Sequence, residues 1–260
     1  MSRVTTEIKD HIAHVTLTRS DKMNAVDPAM VAALIETGHS LMEADIRAVV
    51  LSGEGKAFCA GLDVMSFAAL AGSDPEEMVM TRTHGPANDY QEVAMVWRKL
   101  PVPVIAALHG VVFGAGFQIA LGADIRIAAP DTKLAIMEMK WGLIPDMGGM
   151  VLLPQLARTD VIRRMTYTAA PIQADQAERW GLVTELADDP HAAAVALAEE
   201  IAGKSPSAIR AAKRLIAVAE TDDAEAVLWA ESREQADLIG KPHQMEVIAA
   251  NMQKRAPKFE

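Results

Sequence analysis

Apolar residues recur at every second or third position along Ile12-Ala13-His14-Val15-Thr16-Leu17, a β-rich pattern that predicts a strand. Asp27-Pro28 follows, and it predicts a helix start, because Asp can cap free amides and Pro suits a first helical turn. Three short runs are apolar without alternation. Ala48-Val49-Val50-Leu51 stops at Ser52-Gly53, Val104-Ile105-Ala106-Ala107-Leu108 stops at His109-Gly110, and Ile125-Arg126-Ile127-Ala128 is the third. Such runs between helical segments predict parallel strands buried on both faces, hence an α/β fold.

After about residue 150 strand signals fade and helical spacing takes over. Trp180-Gly181 predicts a helix end with Gly beyond it, and Ser205-Pro206 predicts a capped start for an amphipathic run from Ala208 to Glu220. Further helices are expected over Asp223 to Ile239 and His243 to Lys254. The division expected is an α/β core over residues 1–200 and a helical region over 201–260. A helical tail of that length rarely makes a core alone, so it should pack on its own body or on a neighbouring subunit.

Composition narrows the class. With 260 residues, 50% of them hydrophobic, the chain can bury one large core. No run approaches the ~20 apolar residues of a membrane span, and the N-terminus has no apolar signal core. The single cysteine, Cys59, excludes an intrachain disulfide and a multi-cysteine zinc site, and points to a reducing, cytoplasmic compartment. A net charge of -10 argues against nucleic-acid binding, although a few local Lys or Arg residues can still hold a phosphate. Most of the 15 methionines read as core filling; Met137, Met139 and Met147 are placed to line an apolar channel.

Four segments carry candidate chemistry: Arg19 to Ala25, Gly55 to Val64, His109 to Gln118 with Ala123-Asp124-Ile125-Arg126, and Met137 to Gly149. Gly114-Ala115-Gly116 follows a strand and precedes a helix-like stretch, so it can present free amides to a ligand. It lacks the third small position of a dinucleotide fingerprint and lies far from the first strand. Ala60-Gly61-Leu62-Asp63 is a second loop of this kind, and two such loops, if they converge, make an oxyanion hole. Glu138 and Asp146, set among apolar neighbours and bracketing Gly142 and Pro145, are candidate bases with raised pKa. The residues alone leave each open as an ordinary surface acid, and Asp146 as a cap for the next helix. His84, Asp89 and Glu92 offer polar contacts for a substrate tail or a solvated helix face.

Together, in this order, these segments resemble the crotonase (enoyl-CoA hydratase/isomerase) superfamily. The likeness is carried by Val104 to Gly110, Asp124 to Ala129, Phe58 to Asp63 and Gly142 to Pro145. The resemblance implies a spiral of ββα units with a C-terminal helical trimerisation region, giving a homotrimer or a hexamer made as a dimer of trimers. It implies an acyl-CoA thioester substrate, no tightly bound cofactor (CoA enters with the substrate), no metal, and no nucleic-acid or membrane partner. Carried over, the oxyanion donors are the amides of Leu62 and Ala115. Met23, Ala25, Ala60, Gly61, Asp63, Val64, Gly114 and Gln118 would bind substrate, with Lys22 or Lys56 near the CoA phosphates.

Departures from the family decide the expected reaction. The two-glutamate hydratases carry a Glu six residues before the Asp matching Asp124; here that position is Gln118. Their second Glu matches Glu138. Gln orients water but does not shuttle its protons, whereas moving a double bond needs only removal and return of one proton. Some isomerases of the family carry an Asp where Asp146 stands. The expected activity is therefore enoyl- or dienoyl-CoA isomerisation with Glu138 and Asp146 as catalytic acids. The alternatives are an atypical hydratase and a non-catalytic acyl-CoA binder. Ala115, where the family commonly has Gly, donates equally well if its φ is negative.

Overall fold

The computed structural model describes residues 2–65 and 74–259. Strand β1 (Val4–Lys9) turns at Asp10-His11, both with positive φ, into β2 (Ile12–Leu17), as a two-residue hairpin of this twist requires. From β2 onward the main sheet is parallel. β2 pairs with β3 (Ala48–Gly53), β3 with β4 (Val104–Leu108), β4 with β6 (Ile125–Ala128) and β6 with β9 (Glu185–Leu186). A second sheet joins β5 (Val111–Phe113), β7 (Lys133–Ala135) and β8 (Ile172–Gln173). Single bridges, Cys59 to Val112 and Val26 to Leu62, continue the layers into the loops that matter below.

The unalternated apolar runs have the predicted cause: both faces of the main sheet are covered. Val49, Leu51, Val104, Ala106 and Leu108 face one core with the helices Pro28–Leu41, Asp89–Lys99 and Ala115–Leu121. Ala48, Val50, Ile105, Ala107 and Ile127 face the opposite way, onto helix Pro190–Ala202. That helix meets the sheet through Ala194, Ala198 and Ala202, one every four residues, so small side chains form a single stripe. The caps read from sequence are present. Met30 N donates to Asp27 Oδ1 at 2.8 Å, and Ala208 N donates to Ser205 Oγ at 3.4 Å.

The strands β5, β7, β8 and β9, two or three residues each, are too short to show a period, and the last two lie in the stretch of the α/β core where strand signals fade and helical spacing dominates. The C-terminal region forms helices Pro206–Ala219, Ala224–Ala236 and Pro242–Met252. The first is tied to the body: Lys213 Nζ donates to Val102 O (2.8 Å) and Asp124 Oδ2 (2.7 Å), and Arg210 to Ile46 O (3.2 Å). Beyond it Leu228, Trp229, Met245 and Ile248 stay exposed, and Ala224–Ala236 buries no residue.

Candidate functional site

Two loops meet where β3 and β5 end. Cys59 N donates to Val111 O (3.2 Å) and Phe113 N to Cys59 O (3.0 Å), which joins the chain from Phe58 to Leu62 to the strand leading into helix Ala115–Leu121. Gly61 has φ +101°, a conformation that L side chains rarely adopt. A Cβ there would lie 3.0 Å from Phe113 O and 3.9 Å from Ala115 N, so the two loops are in contact. Gly116 faces the same crowding: a Cβ would sit 2.6 Å from the Cβ of Cys59. Val26 N bonds to Gly61 O (2.8 Å) and Asp63 N to Val26 O (2.9 Å), on either side of Leu62. No hydrogen bond among the described residues uses the amides of Leu62 or Ala115. Both stand at the contact of the loops, and Ala115 opens a helix, where the backbone dipole is positive.

These loops border a cavity of about 310 Å³, lined mainly by apolar groups. Of the residues named from sequence, it brings together Met23, Ala60, Gly61, Leu62, Val64, Gly114, Ala115 and Glu138. Met137 lines it as well, with Trp141, Leu143 and Lys140, which sequence reasoning had not assigned to substrate. Ala25, Asp63, Gln118 and Asp146 do not line it. Asp63 instead pairs with Arg19 at 2.6 Å, and Arg19 also donates to Ala25 O at 2.8 Å and approaches Asp27 at 3.6 Å. That network pins the Met23–Ala25 turn against the Leu62 loop, and a hydrogen bond from Met65 N, with the arginine second, holds the Asp63 carboxyl below its usual range. Cys59 lies beneath, its thiol 3.1 Å from Asn24 O and pushed by burial to a pKa of about 12, so it is no nucleophile.

Gln118 sits one layer behind the cavity and is 2% exposed. Its Oε1 accepts from Met147 N (2.9 Å) and Gly149 N (3.0 Å), which fixes the amide orientation. Nε2 must then face Glu138, and it donates to Glu138 Oε1 at 2.6 Å. Gly149 permits this, since a Cβ there would come within 2.8 Å of Gln118 Oε1. Glu138 is 9% exposed, and its second oxygen, Oε2, is buried without a hydrogen-bond partner. Desolvation raises its pKa above the ordinary carboxylate value, and the charge of Asp146 raises it further; the Gln118 amide opposes the rise. Asp146 is exposed at its surface edge, yet the protein around its carboxyl still displaces enough water to raise its pKa. It caps no helix: Gly148 stands at the start of Gly149–Leu156 and no side chain caps it.

The polar residues expected near the substrate tail have other partners. Glu92 is buried, with His39 Nε2 at 3.0 Å and Lys99 Nζ at 2.5 Å, while His84 Nε2 lies 3.1 Å from Asp89. His39, His84 and Glu92 are the group among the described residues whose possible metal-ligand atoms come within 4.8 Å of one another, but His39 and Lys99 already take both oxygens of Glu92. Of the loop from Met65 to Trp97 expected to shape the acyl pocket, residues 66–73 lie outside the described residues. No described helix is long and apolar enough to cross a membrane.

Comparison with known proteins bears on the family and the fold. Residues 7–260 match the family model for enoyl-CoA hydratase/isomerase. The chain is 32% identical to 1,2-epoxyphenylacetyl-CoA isomerase of Escherichia coli, over 100% of this chain and 98% of that one. It is 34% identical to mouse mitochondrial Delta(3,5)-Delta(2,4)-dienoyl-CoA isomerase over 80% of its length, spanning 66% of that longer protein. Among solved structures, an enoyl-CoA hydratase from Bacillus anthracis superposes with a TM-score of 0.89 at 29% identity, covering 99% of this chain and 98% of that one. The chain belongs to the enoyl-CoA hydratase/isomerase family and has the crotonase fold.

Proposed function

We propose that this protein shifts a double bond along the acyl chain of an enoyl- or dienoyl-CoA. The thioester oxygen accepts from the Leu62 and Ala115 amides, which lowers the energy of the enolate. Glu138, through the oxygen that Gln118 leaves free, takes a proton from one carbon and returns it to another. Asp146 serves as a second proton carrier from the outer side of the site. Nothing is gained or lost overall, so no redox partner or metal is required by the chemistry. The pantetheine arm runs past Met23, Ala60 and Val64, with Ala25 and Asp63 shaping that wall from behind. The exposed apolar side chains of the last two helices support assembly into a trimer, or a pair of trimers.

The observation that carries this reading is the fixed amide of Gln118. With its carbonyl committed to two backbone donors, it presents only N–H to Glu138 and supplies no second acid. Hydration needs a group to activate water and a group to protonate the α-carbon, and one carboxylate gripped by an amide serves a single proton path better. An enoyl-CoA hydratase shares this fold, and hydration is the alternative that the experiment must exclude. The purified protein is to be mixed separately with 3-enoyl-CoA and 2-enoyl-CoA. Migration of the double bond with little water addition is expected. Fast hydration of the 2-enoyl ester without migration would replace this reading with a hydratase. Tight binding of both esters with no product would make the chain a binder.

A further inference from the structure

A second cavity, of about 340 Å³, lies between the body and helix Pro206–Ala219. Its walls are largely apolar, with Leu121, Ile125, Leu152, Leu156, Ile209 and Ile216 contributing. It also carries charge. Lys213 pairs with Asp124 at 2.7 Å, and Arg98 lies 3.7 Å from Asp124 and pairs with Glu220. These four charges neutralise one another. Arg126 also lines the cavity, and it is the exception. It is 3% exposed, Nε donates to Leu182 O (2.8 Å) and Nη1 to Ala123 O (2.6 Å), and no carboxylate among the described residues forms an ion pair with it. Nη2 has no hydrogen-bond partner among the described residues, and burial drives the guanidinium pKa down to about 10.

Asp124 supports this charge from a distance and Arg98 opposes it, but the hydrogen bonds of Arg126 go only to carbonyls. A cation buried in this way is costly, and an anion delivered next to it offsets that cost. Arginine suits carboxylate geometry through paired N–H groups. The residues facing the cavity hold one more cation than anions, so a single negative charge balances them. A dianion would meet Asp124 and Glu220, and a fully polar anion would leave the aliphatic walls uncovered. The volume falls within the range of small-molecule pockets.

We propose that this cavity binds an aliphatic monocarboxylate, its carboxylate on Arg126 and its chain along the leucine and isoleucine walls. The site is independent of the acyl-CoA cavity, because the two share no lining residue. The test is calorimetric titration of the full chain with sodium decanoate and, separately, 1-decanol. Decanoate should bind at one site per chain, and 1-decanol about tenfold or more weakly, since it lacks the charge. Gln155 is exposed and lines the cavity, so Gln155→Glu adds a carboxylate there without disturbing the core. It should weaken decanoate roughly tenfold and leave 1-decanol unchanged. Arg126→Met should abolish the preference for the acid; should that variant fail to fold, Gln155→Glu decides. The proposal is overturned if 1-decanol binds as tightly as decanoate, or if Gln155→Glu changes nothing. It is equally overturned if acetyl-CoA displaces decanoate, which would place the acid in the other cavity, or if no binding occurs because another subunit covers the groove.

Discussion

Glu138 and Asp146 are eight residues apart and share a raised pKa, yet the fold treats them differently. Glu138 is buried, one oxygen is gripped by Gln118, and the other is left without a partner at the edge of the cavity bordered by the Leu62 and Ala115 loops. Asp146 is exposed, and only its own backbone amide opposes the rise in its pKa. One carboxyl is fixed by a buried side-chain hydrogen bond, and the other stands at the surface. Preorganisation favours the group that must meet a single carbon atom in one geometry, while freedom favours a group that follows the substrate. Under the proposed function, Glu138 is the candidate for the principal proton transfer and Asp146 for the secondary one.

The largest effect should come from breaking the first member. Glu138→Gln should lower kcat for double-bond migration about 10³-fold with KM nearly unchanged, as expected for loss of a general base. Steady-state kinetics on a 3-enoyl-CoA check this, and a fall in kcat of less than about tenfold would move the base to Asp146. Next comes the grip itself. Gln118→Glu keeps the acceptor for Met147 N and Gly149 N but puts a second carboxyl 2.6 Å from Glu138. Two carboxyls so close share a proton, so the acidic limb of the pH–rate profile should move upward and activity at pH 7 should fall roughly tenfold. If the same change also adds hydration of the 2-enoyl ester, the amide at position 118 is what separates the two reactions. Smaller again, Asp146→Asn should cost about tenfold or less in kcat, and more on dienoyl than on monoenoyl substrates, because migration across more carbons uses the second carrier. Equal losses in Glu138→Gln and Asp146→Asn would erase the distinction.

The glutamate half of the site was easier to read from the sequence than the aspartate half. Gln118 and Glu138 were legible through the resemblance to the family, which marks both positions, and the two amide-bearing loops because Gly61 and Gly114-Ala115-Gly116 mark where backbone must be approached. Strands β3, β4 and β6 were legible because burial on both faces leaves short apolar runs, and β2 because its apolar residues recur at every second or third position. Asp63 was not: its partner Arg19 lies 44 residues earlier, and no local pattern signals that ion pair. Glu92 reads as a solvated helix residue until His39, from another helix, and Lys99 close over it. Arg126 was legible as part of a family-like strand, but that no carboxylate among the described residues pairs with it directly depends on Asp124 turning to Lys213, 89 residues away. Long-range charge pairing is the part of the fold that periodicity does not encode.

The smallest expected effect separates the two carboxyls without any substrate. Desolvation makes the folded pKa of Glu138 higher than its unfolded value near 4.5, so the folded state binds that proton more tightly. The associated stability is fully present below the unfolded pKa and is lost as pH rises through the folded one. At pH 7 the buried carboxyl, with Oε2 unpartnered, therefore works against folding. Glu138→Gln removes the charge while keeping the side chain's shape, so the variant should unfold about 1 kcal/mol less readily than the parent at pH 7, roughly 2–4 °C in Tm. The gain should vanish near pH 4, where the parent is itself protonated. Asp146→Asn should show a smaller gain, because its exposed edge remains hydrated. Melting curves of the three proteins across this range check the order. A Glu138→Gln variant less stable than the parent at pH 7 would mean that the Gln118 hydrogen bond outweighs desolvation, and that the carboxylate is held ionised rather than held under strain.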